Sequence, residues 1–340
     1  MRRKFAIPFF VAACAFASFL AAPVALAGGY VLKISTFEPI GNHYTIWLQS
    51  WAKTLEQRSG GRLKAEIFPS DQMGSLRDQY DLARTGVSDI SFALHGATPG
   101  RFPLSELSHI PFLIPSAEVG SESLTSLIPD YLAREHRGVR VLLLASTSPL
   151  ALVTNKVAVR RPQDLKGLRI RHPDSVAGAT LRALGAVPVF TPPAQIADAL
   201  NKGTIDGALL AWEALKSFQI SARYATDWGG NVTTFVLAMN PAAYDSLPAD
   251  LKKVIDDSVG VNAAREVGKA ADAAALDGRA YARSIHMEVI DLSPSQRQAF
   301  KIASRDIVAK LISQQEKRNP NAGRFITALR EKVAFYQRRR

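Results

Sequence analysis

Arg171 stands where a short apolar strand, Leu168–Ile170, runs out into a loop containing Pro173. Arginine stays protonated at physiological pH and carries a planar fork of donors that matches a carboxylate, so this position is suited to hold an organic anion. Trp212 and Glu213 follow the strand Ile205–Leu210, His95 follows Asp89–Leu94, and Phe37 and Glu38 follow Tyr30–Ser35. All of them fall just beyond the carboxyl end of a strand, where open α/β sheets bind ligands. The chemistry on offer is recognition: a fixed cation for an acid, aromatic rings for an apolar body, and a carboxylate or neutral imidazole for a hydroxyl. Each residue also has a plain reading. Arg171 could pair with Asp174 at the surface, Trp212 and Phe235 could be core, Glu213 could sit exposed at a helix start, and His95 could be structural.

Alternating elements must position these side chains. The run His43–Arg58 carries Ile46, Trp47, Trp51 and Leu55 at helical spacing and ends at Gly60 and Gly61. Further helices are expected over Asp71–Arg84, Glu122–His136, Ser175–Leu184 and Pro192–Lys202, with strands over Leu63–Phe68, Val139–Leu144, Ala151–Thr154, Ala186–Phe190 and His286–Leu292. Such alternation predicts mainly parallel sheets with helices on their faces. Pro248–Ser284 is Ala-rich and free of proline after its first residue. It reads as one helix of about 35 residues, about 50 Å long, enough to brace two lobes. Pro294 starts another helix, and the tail continues helical to about Val333.

The first 27 residues read as a secretory leader, with a basic start at Arg2, Arg3 and Lys4, an apolar stretch Phe5–Leu20, and cleavage expected after Ala27. Cys14 lies inside it, so disulfides and thiolate metal sites are excluded from the mature chain, and no metal site or cofactor is expected. The formal charge of +12 falls to +9 without the leader. The cations are scattered and no nucleic-acid-binding motif accompanies them, so nucleic acid is not expected as a partner. A positive field would instead concentrate small anions. The six histidines form no H-E-x-x-H pair, and no G-x-S-x-G elbow, Walker loop or G-x-G-x-x-G fingerprint occurs, so an enzyme is not expected.

Five pieces in order, FPSDQMGS (Phe68–Ser75), TPGRFP (Thr98–Pro103), DLKGLRIR (Asp164–Arg171), LGAVPV (Leu184–Val189) and IDG (Ile205–Gly207), resemble the DctP-type solute receptors of tripartite ATP-independent periplasmic (TRAP) transporters. The likeness spans nearly the whole mature chain. It implies an α/β, two-lobed periplasmic-binding-protein (venus-flytrap) fold with a long interlobe helix, no enzymatic activity, and delivery of a captured organic acid to membrane permease subunits. By position, Arg171 matches the family's two-pronged carboxylate contact, and Trp212 falls where the family lines its pocket. Gln72 belongs to a family-like loop, with helix capping as its plain alternative, and Arg101 in TPGRFP reads as structural. Sialic-acid-type members carry a further arginine where this chain has Leu150. With Trp212 and Phe235, that departure points to one carboxylate on an apolar or aromatic body, with a 2-hydroxy or 2-keto group as an option. A monomer is expected. The readings weighed against this one are a receptor for an ATP-driven importer or sensor system, and a secreted hydrolase.

The resulting division assigns 28–147 with 237–275 to lobe I and 148–236 with 276–333 to lobe II, braced by 248–284, with a basic tail over 334–340. Crossings between lobes are expected near Ser146–Leu150 and within Thr233–Asn240.

Overall fold

The structure, a computed structural model, describes residues 29–340; the expected leader and Cys14 lie outside them. The helix His43–Arg58 forms over the expected residues, but its buried face is turned from the one expected, leaving Ile46 exposed. Asn42 caps it by accepting the Tyr44 N–H at 2.8 Å, and Tyr44, Leu48, Trp51 and Leu55 bury one face.

Two sheets organise the chain. The first contains β1 (Tyr30–Thr36), β2 (Leu63–Phe68), β3 (Ile90–Leu94), β4 (Arg140–Ser146) and, from much later in the sequence, β10 (Thr234–Met239), in the order β2-β1-β3-β10-β4. The second contains β5 (Ala151–Thr154), β6 (Arg169–His172), β7 (Val187–Phe190), β8 (Gly207–Leu210), β9 (Tyr224–Asp227) and β11 (Glu288–Asp291), in the order β11-β9-β5-β8-β6-β7. Each sheet is parallel except for one strand: β10 runs antiparallel to both its neighbours, and so does β5. These are the strands that follow the chain's passages between sheets. The two passages lie side by side, since Thr147 N–H donates to the Thr233 carbonyl at 3.0 Å and Leu150 N–H to the Asn231 carbonyl at 2.9 Å.

A third passage is the helix Val261–Ser284, whose 24 residues span about 36 Å. Ala264, Val267 and Ala271 pack with the first sheet's core, Ala275 and Ala282 with the second's. Glycines allow the close approach at both ends. A Cβ on Gly268 would stand 2.4 Å from the Glu118 Cα, and one on Gly278 would stand 2.3 Å from the Trp212 carbonyl oxygen.

Several expectations need correction. The helix read over Pro248–Ser284 is two, Ala249–Asp256 and Val261–Ser284, because Gly260 adopts φ 80° and ψ −156°, which no L side chain tolerates readily. The helix read over Asp71–Arg84 begins only at Gln79, since Ser70 and Asp71 have φ of 55° and 61°. The helix read over Glu122–His136 is instead Ala117–Ser126, capped by the Ser116 hydroxyl, with Pro129 in the irregular turn that follows. Strand β9 has no counterpart in the expected set. The second crossing lies at 228–233, before β10, so 234–236 belong with the first sheet. The C-terminal division also moves: Phe300 packs in the second sheet's core, but Phe325, Ile326 and Leu329 of the helix Ala322–Gln337 pack with Leu124, Leu144 and Val236 of the first. The last residue is not a free basic tail, because Arg340 pairs with Glu118 at 2.8 Å and Glu122 at 2.5 Å.

Candidate ligand-binding site

Arg171 is delivered by β6, which is held between β7 and β8 with Arg171 opposite Val189 and Ala208. Arg169, one turn of the pleat earlier, binds Asp206 in the turn before β8 through its backbone N–H, at 2.9 Å, and its guanidinium, at 2.9 and 3.0 Å. The matched DLKGLRIR and IDG pieces thus clamp each other and fix the register that aims Arg171. Its own guanidinium is anchored on backbone carbonyls: Nε donates to Thr191 O and Nη1 to Leu209 O, both at 2.8 Å. It is only 3% exposed and makes no ion pair among the described residues. Burial lowers its pKa to about 10, opposed by the nearby Asp174 carboxylate, so it remains a cation.

The cavity beside it lies between the sheets. Phe37, Tyr44, Leu94 and Phe235 approach from the first, Leu150, Ile196, Leu210 and Phe218 from the second. The Phe235 ring is the centre of an aromatic group, 6.3 Å from Phe37, 4.8 Å from Tyr44 and 5.0 Å from Phe92 between centroids. The lobes are shut, leaving a cavity of about 50 Å³. Contacts across the closure include Ser175 Oγ donating to Glu106 Oε2, and Gly96 fitted so closely that a Cβ there would lie 2.6 Å from Asp174 Cβ and 2.7 Å from the Pro173 carbonyl oxygen. His109 Nδ1 lies 3.1 Å from Asp174 Oδ2, without the alignment of a hydrogen bond. Asp174 uses its other oxygen to cap the helix Ser175–Ala183 through Ala177 N–H.

Glu38 and Glu213 complete the polar lining, one from each side. Burial, then the charges of Glu213 and Asp71, push the Glu38 carboxyl up to about 8; burial, helped by Asp272 and offset by its own backbone N–H, pushes Glu213 up to about 7. Both therefore bind protons more tightly folded than unfolded. Their contribution to stability is complete below about pH 4.5, the ordinary value, and is lost as pH rises through about 7 and about 8. Each adds a slope of up to about 1.4 kcal/mol per pH unit in that window. Urea melts of the ligand-free protein from pH 5 to pH 8 should lose stability with rising pH, and Glu38→Gln and Glu213→Gln should each flatten the profile; a wild-type profile that rises across this range would contradict the assignment.

Of the residues singled out in the sequence, Arg171, Phe37, Glu38, Leu150, Glu213 and Phe235 line this one cavity. Three do not. Trp212 packs under the brace helix, with the Arg279 guanidinium 4.7 Å above its ring, and lines a cleft on the far side of the hinge. Its strand-end position was right, but the turn that follows β8, packed against Gly278, faces Trp212 outward and Glu213 in. His95 is fully buried below the cavity, its Nδ1 2.7 Å from Thr234 Oγ1 and its ring among Phe102 and His136; burial and the neighbouring His136 and His109 keep it neutral. Gln72 is exposed. Its loop acts through backbone, with Ser70 N–H donating to Glu38 O at 3.0 Å, and so buttresses Glu38 without touching the cavity. Arg101 is structural as read, forming two 2.8 Å bonds to Asp81 and lying over the Tyr80 ring.

Sequence reasoning missed Tyr44, Asn42, Thr233 and Phe218, which also line the cavity. Asn42 and Tyr44 open a helix directly after the Phe37–Glu38 loop, and that adjacency was the available signal.

Two larger clefts lie elsewhere. One, of about 790 Å³, runs between the helix Pro103–Leu107 and the C-terminal helices; the other, of about 470 Å³, is the hinge cleft with Trp212. Arg101 and Arg279 in them are already paired with Asp81 and with Asp227 and Asp291. Arg134, Arg318 and Lys301 in the same clefts are exposed, whereas the small cavity holds a buried cation with no ion pair among the described residues, so size ranks below chemistry here.

Residues 34–315 match the family model described as bacterial extracellular solute-binding protein, family 7. A solute-binding protein of Verminephrobacter eiseniae is 27% identical over 250 residues, 70% of each chain. Among solved structures, a TRAP solute-binding protein of Rhodoferax ferrireducens T118, in complex with copurified benzoate, superimposes with a TM-score of 0.87 at 31% identity, covering 91% of this chain and 98% of that one. A marine-metagenome TRAP solute-binding protein specific for aromatic acid ligands, seen with metahydroxyphenylacetate, gives a TM-score of 0.87 at 30% identity over 90% of this chain and 99% of that one. No helix among the described residues is long and apolar enough to cross a membrane.

Proposed function

Because this chain belongs to bacterial extracellular solute-binding protein family 7, we propose that it is a periplasmic receptor that captures a compact organic monocarboxylate and hands it to a TRAP-type secondary transporter. The observation that carries the reading is Arg171: a desolvated guanidinium on a cavity wall, held by two carbonyls and lacking a carboxylate of its own. An incoming acid supplies the missing charge through a two-pronged contact. Leu150, fully buried in the wall that also carries Arg171, leaves no second cation there for a second carboxylate. Phe37, Phe235 and Tyr44 offer faces for an apolar or aromatic body, in keeping with the aromatic acids held by the two similar receptors.

In this account the leader carries the chain to the periplasm and is removed after Ala27. The open receptor takes the acid on Arg171 of one lobe, and the first lobe closes over the remainder. Contacts made to both lobes exist only in the shut form, so the ligand shifts the open-closed balance. The receptor acts as a monomer in this account. The family match favours neither an ATP-driven importer nor a hydrolase.

A thermal-shift screen of organic acids tests the reading, since a ligand bound only by the native state raises its melting temperature. Compact monocarboxylates, aromatic ones foremost, should raise it; dicarboxylates and the neutral analogue benzamide should not. Stabilisation by benzamide equal to that by benzoate would overturn it.

A further inference from the structure

Three polar atoms in the cavity residues are buried without a hydrogen-bond partner: Glu38 Oε2, Glu213 Oε2 and Thr233 Oγ1. The residues are 5%, 7% and 6% exposed. Arg171 explains the capture of a carboxylate but leaves these atoms idle, and an acid made only of a carboxylate and hydrocarbon would close over them unsatisfied. We propose that Glu38 and Glu213 form a hydroxyl-reading pair, so that the ligand is a hydroxylated monocarboxylate whose acid group lies on Arg171 and whose hydroxyl is held by this pair. This rests on the carboxylate reading of Arg171 and deepens it.

A hydroxyl both donates and accepts. A protonated carboxyl donates to its oxygen, and an ionised or carbonyl oxygen accepts its proton. Burial keeps at least part of the pair protonated at neutral pH, and the surrounding charges reinforce this: Glu38 faces Glu213, Asp71 and the Tyr44 hydroxyl, while Glu213 faces Asp272. Arg171 is the cation among the cavity residues, with Asp174 beside it. Glu38 follows β1 of the first sheet and Glu213 follows β8 of the second, so the hydroxyl contact is complete only when the lobes are closed. Recognition of the hydroxyl and closure are then one event.

Calorimetric titration at pH 7 of benzoate against its 2-, 3- and 4-hydroxy derivatives, and of phenylacetate against mandelate and phenylglycine, tests this. At least one hydroxylated acid should bind about tenfold or more tighter than its parent. In the double variant Glu38→Leu, Glu213→Leu that preference should shrink below about twofold, and Glu213→Gln, which keeps a donor and an acceptor, should retain it. The pair is overturned if each parent binds as tightly as its hydroxylated forms, if the preference survives the double substitution, or if phenylglycine binds best, which would mark an ionised pair reading an ammonium. Absence of binding by every acid would instead bring down the carboxylate reading itself.

Discussion

Arg171→Met should weaken binding of the cognate acid by roughly thirtyfold to several thousandfold, the about 2–5 kcal/mol expected when one partner of a desolvated, hydrogen-bonded charge pair is removed. The same substitution should leave the ligand-free protein as stable as the wild type or slightly more so. The guanidinium is desolvated with no ion pair among the described residues, and relieving that cost with an apolar side chain offsets the loss of its two bonds to the Thr191 and Leu209 carbonyls. That opposite movement of affinity and stability separates a binding role from a structural one. Arg171→Lys should restore little, because a lysine keeps the charge and loses the fork that spans Thr191, Leu209 and the ligand. Titration calorimetry paired with melts of the unliganded variants reads both quantities. Loss of stability with no loss of affinity would reduce Arg171 to a strand-end anchor.

The second large effect is expected at a residue that does not itself line the cavity. Gly96 sits just after β3, and its missing Cβ is what lets the Pro173–Asp174 segment seat against the first lobe; the backbone atom it would strike, 2.7 Å away, cannot be moved aside like a side-chain tip. Gly96→Val should therefore fold, since the three atoms nearest an added Cβ all belong to the other lobe, and fail to close. Apparent affinity falls by the fraction of molecules that can reach the shut form, so a loss of about a hundredfold follows if the clash makes closure about 2.7 kcal/mol harder. Small-angle scattering should show the wild type contracting on ligand addition and the variant keeping its open radius. A variant that contracts and binds like the wild type would show that these lobes do not meet at Gly96.

How far the sequence anticipated this can be judged from particular residues. The strands over Leu63–Phe68 and Ala151–Thr154 and the helix His43–Arg58 were legible to the residue, because burial pattern and caps agree there. Arg171 was legible because a strand end, a charge and a following proline coincide. Gly260 was not: a lone glycine in an Ala-rich run is a small fault for a helix, and only the backbone bond from its N–H to Leu142 O shows that the chain turns there. Trp212 and Glu213 show the limit at the site. Both follow β8, and which of them faces the cavity depends on the packing of Gly278 against the Trp212 carbonyl, a contact between residues distant in sequence. The family-like pieces marked turns and clamps such as Arg169 with Asp206 and Ser70 with Glu38, so they revealed the scaffold more fully than the lining it carries.

The central claim is that Arg171 is the counter-ion for a captured acid. A crystal structure of the receptor loaded with its best-binding acid measures this directly. The account predicts both carboxylate oxygens within about 2.7–2.9 Å of guanidinium nitrogens of Arg171, with the rest of the molecule against Phe37 and Phe235. A ligand seated in the cavity whose carboxylate points away from Arg171, or a neutral molecule in its place, would contradict it.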